Sequence, residues 1–114
     1  MKTELEDRTK MFAVRVLKTV AAFSKTLEGQ VIGRQLLKAG ASIGANYREA
    51  NRAESRRDFV HKVGVAEKEA AETIYWLEIC QATKLGTEKK IVDLLDEAHQ
   101  LLAILITIGR NAKK

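Results

Sequence analysis

Apolar residues recur every three or four positions from Leu5 to Ile108, and no proline interrupts them. That period belongs to the α-helix, which turns about 100° per residue and gathers such positions on one side. In the first stretch Leu5, Phe12, Val16, Val20, Phe23 and Leu27 share a face. In the second, Ile32, Leu36, Ala39, Ile43, Tyr47 and Ala50 do so. The third has Phe59, Val63, Ala66, Ala70, Thr73, Leu77 and Cys80, and the fourth runs from Ile91 through Leu94, Ala98, Leu101 and Leu105 to Ile108.

Punctuation separates the stretches. Thr3 and Glu6 have capping-box spacing, so a first helix is expected from about residue 4, stopping at Gly29. A second is expected over roughly 30–53. Ser55 with Asp58 marks the start of a third that reaches about Lys84 before Gly86, and Thr87 is placed to cap a fourth from Glu88 to about Arg110. Connections this short make neighbouring helices antiparallel. The expected fold is therefore all-α: one domain over 1–114, an up-down-up-down four-helix bundle. Aromatic residues are only 5% of the chain, which disfavours a sandwich or barrel.

Gly33, Gly40 and Gly44 fall within about 40° of one another beside the second apolar stripe. Each costs a helix about 1 kcal/mol relative to alanine. Close helix packing repays that loss; a locally frayed or kinked helix is the alternative. The Gly40–Gly44 run is no phosphate loop, because no strand precedes it and the Gly-Lys-Ser/Thr ending is missing. On the third helix Val65, Trp76 and Ile79 lie on a flank outside the core stripe, with Ile104 off the stripe of the fourth. An apolar flank of this kind is expected to be an oligomer interface, with Glu72 beside it, unless Trp76 tucks against a neighbouring helix of its own chain. Bare and apolar helical surface together thus predict self-association.

The net charge of +5 is uneven. Residues 1–57 carry 12 Lys and Arg against 6 Asp and Glu, whereas 58–114 carry 8 against 9. A basic first half points to an anionic partner. Arg34, Lys38, Arg48 and Arg52 cluster opposite the second apolar stripe, and Arg15, Lys18 and Lys25 lie off the first. Together, with Arg56 and Arg57 at one end, they are expected to form one basic surface that binds RNA or DNA without sequence preference. Lysine and arginine on a helix are also simply a solvated face, and no row of exposed aromatics offers stacking.

Chemistry beyond binding has little support. Asp58-x-x-His61 and Asp96-x-x-His99 have the spacing of bundle metal ligands. An antiparallel pairing about Gly86, however, sets His61 roughly 16 Å from the level of His99 at about 1.5 Å per residue. No metal site and no cofactor are expected. Cys80 sits at the edge of an apolar stripe, the setting of an inert thiol. It is also alone, which excludes an internal disulfide and favours a reducing compartment. Glu67, Glu69 and Glu72 are read as a solvated or intersubunit face. The N-terminus lacks the apolar core of a signal peptide, and "LLAILITIG" is about half the length of a membrane span. A cytoplasmic, non-enzymatic binding module is the expectation, with a protein-interaction scaffold or a metal-binding or catalytic bundle as alternatives.

The stretch "ASIGANYREANRAESRRDFVHKVGVAEKEAAETIYWLE" carries a resemblance. Its most specific parts are Asn46-Tyr47-Arg48-Glu49-Ala50, then Asp58-Phe59 with Lys62, then Lys68-Glu69-Ala70, Glu72-Thr73 and Tyr75-Trp76-Leu77. Over roughly residues 10–108, with "QLLKAGASIGAN" as lead-in, the chain resembles a bacterial family of four-helix-bundle proteins. That family is named after the 23S ribosomal RNA intervening sequences in which some members are encoded. The resemblance implies an antiparallel bundle assembled into a ring-shaped homopentamer, without known catalysis. More distantly, the chain is similar to the accessory variability proteins of diversity-generating retroelements, basic pentameric barrels that bind nucleic acid and a reverse transcriptase.

Overall fold

The computed structural model describes residues 2–114, which form four helices and no strand. Helix α1 spans Lys2–Ala21, α2 Leu27–Asn51, α3 Arg56–Thr83 and α4 Glu88–Ala112. They make a rod of 45 × 20 × 20 Å. Consecutive helices run antiparallel and pack along their lengths, and α1 and α4 close the circle with the loosest contact of the four.

The helix boundaries follow the caps that are actually made. Ser55 accepts a hydrogen bond from the Asp58 N–H at 3.0 Å, so α3 starts where its spacing predicted. At the other end Lys84 adopts a left-handed conformation (φ 58°), and the Leu85 N–H reaches back to the Cys80 carbonyl at 2.9 Å. Gly86 follows at φ +82°, and a Cβ there would also stand 2.9 Å from the Phe23 ring. Thr87 precedes α4 with extended backbone, but its side chain makes no cap bond; only its carbonyl serves, accepting from Ile91.

The first turn differs most from expectation. Helix α1 ends at Ala21, and Thr26 caps α2 by accepting from the Gly29 N–H at 3.1 Å. Gly29 is therefore no stop: it lies buried in the first turn of α2, where a Cβ would run into the Ser24 carbonyl. Leu27, expected in the α1 stripe, begins α2 and is 73% exposed. The expected Thr3–Glu6 capping box does not form either. The helix already runs from Lys2, and the Glu6 carboxylate accepts from the Asn51 side chain of α2 at 2.9 Å.

The remaining stripes meet in one core, in which Phe12, Leu36, Ile43, Leu77, Leu101 and Leu105 are fully buried. Each such side chain contributes about 1.5–3 kcal/mol. Thr9 and Thr73 enter this core because their hydroxyls donate to carbonyls four residues back, at 2.9 and 2.7 Å. Across the α1–α4 seam, Arg8 donates two hydrogen bonds to the Glu97 carboxylate, at 2.7 and 2.8 Å, and a third to Gln100. That fork geometry raises the Arg8 pKa, the bonded carboxylate outweighing partial burial.

Candidate nucleic-acid interface

Helix α2 presents its glycines to α1 and its cations to solvent. A Cβ at Gly33 would meet Val20 and Phe23, one at Gly40 would meet Val16, and one at Gly44 would meet Thr9. These three glycines therefore bring α1 close within one protomer. The bare strip is covered by its own chain and carries no argument for self-association.

On the outward side, positions 27, 31, 34, 38, 41, 45, 48 and 52 alternate in steps of four and three, and all are exposed. Such spacing keeps them on one strip. It reads Leu27, Val31, Arg34, Lys38, Ala41, Ala45, Arg48, Arg52: an apolar pair, two cations, two small residues, two cations. From Arg34 to Arg52 the strip spans roughly 27 Å at about 1.5 Å per residue. Arg34, Lys38 and Arg52 have no ion pair among the described residues, and Arg48 only approaches Glu6 at 3.9 Å. The Glu49 carboxylate, next to the strip, is occupied by Lys62 at 3.0 Å, and this raises the Lys62 pKa. Leu27 and Val31, at 73% and 50% exposure, extend the strip, and Leu27 joins it because α2 begins there and not at residue 30.

The single basic surface expected across α1 and α2 is divided. Lys25, in the turn, shares a hollow with Arg34 and Gln30. Arg15 and Lys18 instead line a hollow in the α1–α4 seam with Thr19, Lys90, Asp93 and Leu94. They face α4 because Arg15 lies seven positions from Arg8, on the side of α1 that the Glu97 clamp fixes, and Lys18 lies three beyond Arg15. Arg56 lies at one end of the bundle and donates to the Lys114 carbonyl at 3.4 Å.

The α3 flank is half covered. The Trp76 indole packs against the core, and its N–H donates to the Glu72 carboxylate at 3.1 Å. Its ring meets Tyr75 edge-on, with centroids 5.1 Å apart, and Tyr75 itself is 54% exposed. Val65 and Ile79 are half-buried on the same side. The indole is neither enclosed by its own chain nor fully wet. Ile104 belongs elsewhere: with Leu5, Tyr47, Phe59 and Ile108 it lines an apolar cleft of about 450 Å³ to which all four helices contribute.

Both histidines are exposed, and the described residues hold no group of three His, Cys, Asp or Glu positioned to share a metal ion. Cys80 is buried, and burial pushes its thiol up to about 11. Among the described residues, no helix is long and apolar enough to cross a membrane.

The family model described as 23S rRNA-intervening sequence protein matches residues 1–107. This chain belongs to that family. A crystal structure of a protein with unknown function from the S23 ribosomal protein family of Bacteroides thetaiotaomicron superposes with a TM-score of 0.86 at 36% identity, covering 96% of this chain and 99% of that one. No curated protein matches the chain. Within the intervening-sequence family the bundle itself is thus shared with a solved relative, while the likeness to accessory variability proteins rests on sequence resemblance alone.

Proposed function

We propose that this intervening-sequence family member is a non-catalytic, cytoplasmic binding module that assembles as a ring-shaped homopentamer and holds RNA or DNA through the outward face of α2. One observation carries the reading: Arg34, Lys38 and Arg52 stand on a single exposed strip with no carboxylate partner among the described residues. Unpaired cations in line release counterions when they meet a phosphate backbone, and a ring repeats the strip in every subunit. The names of the family and of its solved relative, which refer to 23S and S23 ribosomal contexts, agree with an RNA partner. The half-covered flank of Val65, Glu72, Trp76 and Ile79 supplies the subunit contact in this reading.

The test is a salt titration of binding to a fluorescent single-stranded RNA. Four phosphates engaged per protomer give a log–log slope of about −3, and Arg34→Gln with Lys38→Gln reduces its magnitude by about 1.4. Absence of binding at low salt would end the proposal. The second reading, a protein-interaction scaffold, is favoured by Leu27 and Val31, whose exposed apolar surface continues the basic strip. A partner helix rather than a phosphate backbone would bury them.

A further inference from the structure

Along the outward strip of α2 the cations come in pairs, Arg34 with Lys38 and Arg48 with Arg52, and all are exposed. Between Lys38 and Arg48 the strip carries only Ala41 and Ala45, which are exposed as well. At about 1.5 Å per residue this cation-free interval is roughly 15 Å long, and the midpoints of the pairs stand about 21 Å apart. The helix is continuous from Leu27 to Asn51, with Arg52 at its C-cap, so the spacing is rigid. Charge on this face is set at two rims with a bare floor between them.

A single strand and a duplex meet such a face differently. A single strand laid along α2 also carries phosphates over the alanines, where nothing neutralises them. Its bases find no platform there either. Tyr47, the one aromatic residue of α2, is buried, and the only exposed Phe, Tyr or Trp among the described residues is Tyr75, on α3. A duplex instead gathers its phosphates on two rims and leaves a groove between them, which matches the interval.

The length of the strip selects the groove. It runs roughly 27 Å, against a width of about 12 Å for the major groove of B-DNA, so α2 lies across the rims and cannot sink between them. That major groove is about 8.5 Å deep, beyond the reach of an alanine methyl, whereas the minor groove of A-form RNA is wide and shallow. Alanine has no donor or acceptor for a base edge, so shape is read here and sequence is not.

We propose that α2 recognises double-stranded RNA, lying across its minor groove with Arg34 and Lys38 on one phosphate rim, Arg48 and Arg52 on the other, and Ala41 and Ala45 over the floor. The inference rests on the reading of α2 as a nucleic-acid surface and narrows that reading to a duplex.

Salt titrations test it, with an RNA duplex of about 16 base pairs, with either of its strands, and with the DNA duplex of the same sequence. The RNA duplex is expected to bind several-fold tighter than the others. Ala41→Lys with Ala45→Lys, at two exposed positions, puts cations into the interval. With the single strand the log–log slope should steepen by about 1.4, because two more phosphates are engaged. With the RNA duplex it should stay unchanged, because the groove has no phosphate there. Arg34→Gln with Lys38→Gln and Arg48→Gln with Arg52→Gln should flatten the duplex slope equally. Equal steepening for duplex and strand, or equal affinity for the strand or the DNA duplex, would overturn the inference while leaving α2 a nucleic-acid surface. Failure of all three nucleic acids to bind at low salt would remove the surface itself, and the inference with it.

Discussion

Thr9 of α1 and Gly44 of α2 meet so closely that a Cβ on Gly44 would stand 2.8 Å from the Thr9 hydroxyl oxygen and 3.1 Å from its Cβ. The hydroxyl cannot swing aside freely, since it donates to the carbonyls of Leu5 and Glu6. Overpacking of this kind costs about 1–3 kcal/mol, and alanine returns at most about 1 kcal/mol in helix propensity. Gly44→Ala should therefore lower stability by about 1–2 kcal/mol, read from the urea midpoint.

The same substitution at Gly64 should have the opposite sign. Nothing lies within 4 Å of a Cβ built there. Gly64→Ala is expected to raise stability by about 0.5–1 kcal/mol, through helix propensity and a less flexible unfolded chain. An unchanged or lower midpoint would show that α3 is covered at that point by another molecule.

Arg8 and Glu97 offer a measurable clamp. The pair is bidentate but 38% and 15% exposed at the side chains, so solvent screens it. A double-mutant cycle with Arg8→Ala and Glu97→Ala should give a coupling of about 0.5–1 kcal/mol that shrinks in high salt.

Cys80 should make the folded state alkali-sensitive. Its thiol keeps its proton to about 11 when folded, against an ordinary 9.0. Below about pH 9 both states hold that proton and stability is unaffected; between 9 and 11 the unfolded chain releases it first, and stability falls. Urea midpoints at pH 8 and pH 10 should therefore drop further in the wild type than in Cys80→Ala.

Trp76→Arg tests the flank of α3. A charged, branched group beside Glu72 keeps the local charge satisfied but removes the indole as an apolar anchor. Light scattering should report a smaller species than for the wild type. An unchanged mass would remove this flank as a subunit contact.

Periodicity made the helices legible because a core stripe and a helical turn share one repeat. Val63, Ala66, Ala70, Thr73, Leu77 and Cys80 are buried as their spacing implies. The α1–α2 turn was not legible, because Gly29 has the composition of a C-cap and the geometry of a close approach to Ser24. The Thr26 cap, a three-residue signal, competes there with a stronger glycine habit. The cations of α2 were found because a single helix carries them. Lys90 was not, since its relation to Arg15 exists only across the seam between the first and last helices. Helical spacing describes one element at a time and says little about which flank a distant element will cover.

Every extensive contact between helices joins neighbours along the chain, and only the α1–α4 seam links its two ends. Such a topology lets hairpins form early and quickly, with little entropy lost to long loops. The ends are then fastened last, by a single charged clasp at Arg8. Amide exchange should accordingly peel α1 away before any other segment, so the hollow that holds Thr19 opens with the least stable part of the molecule.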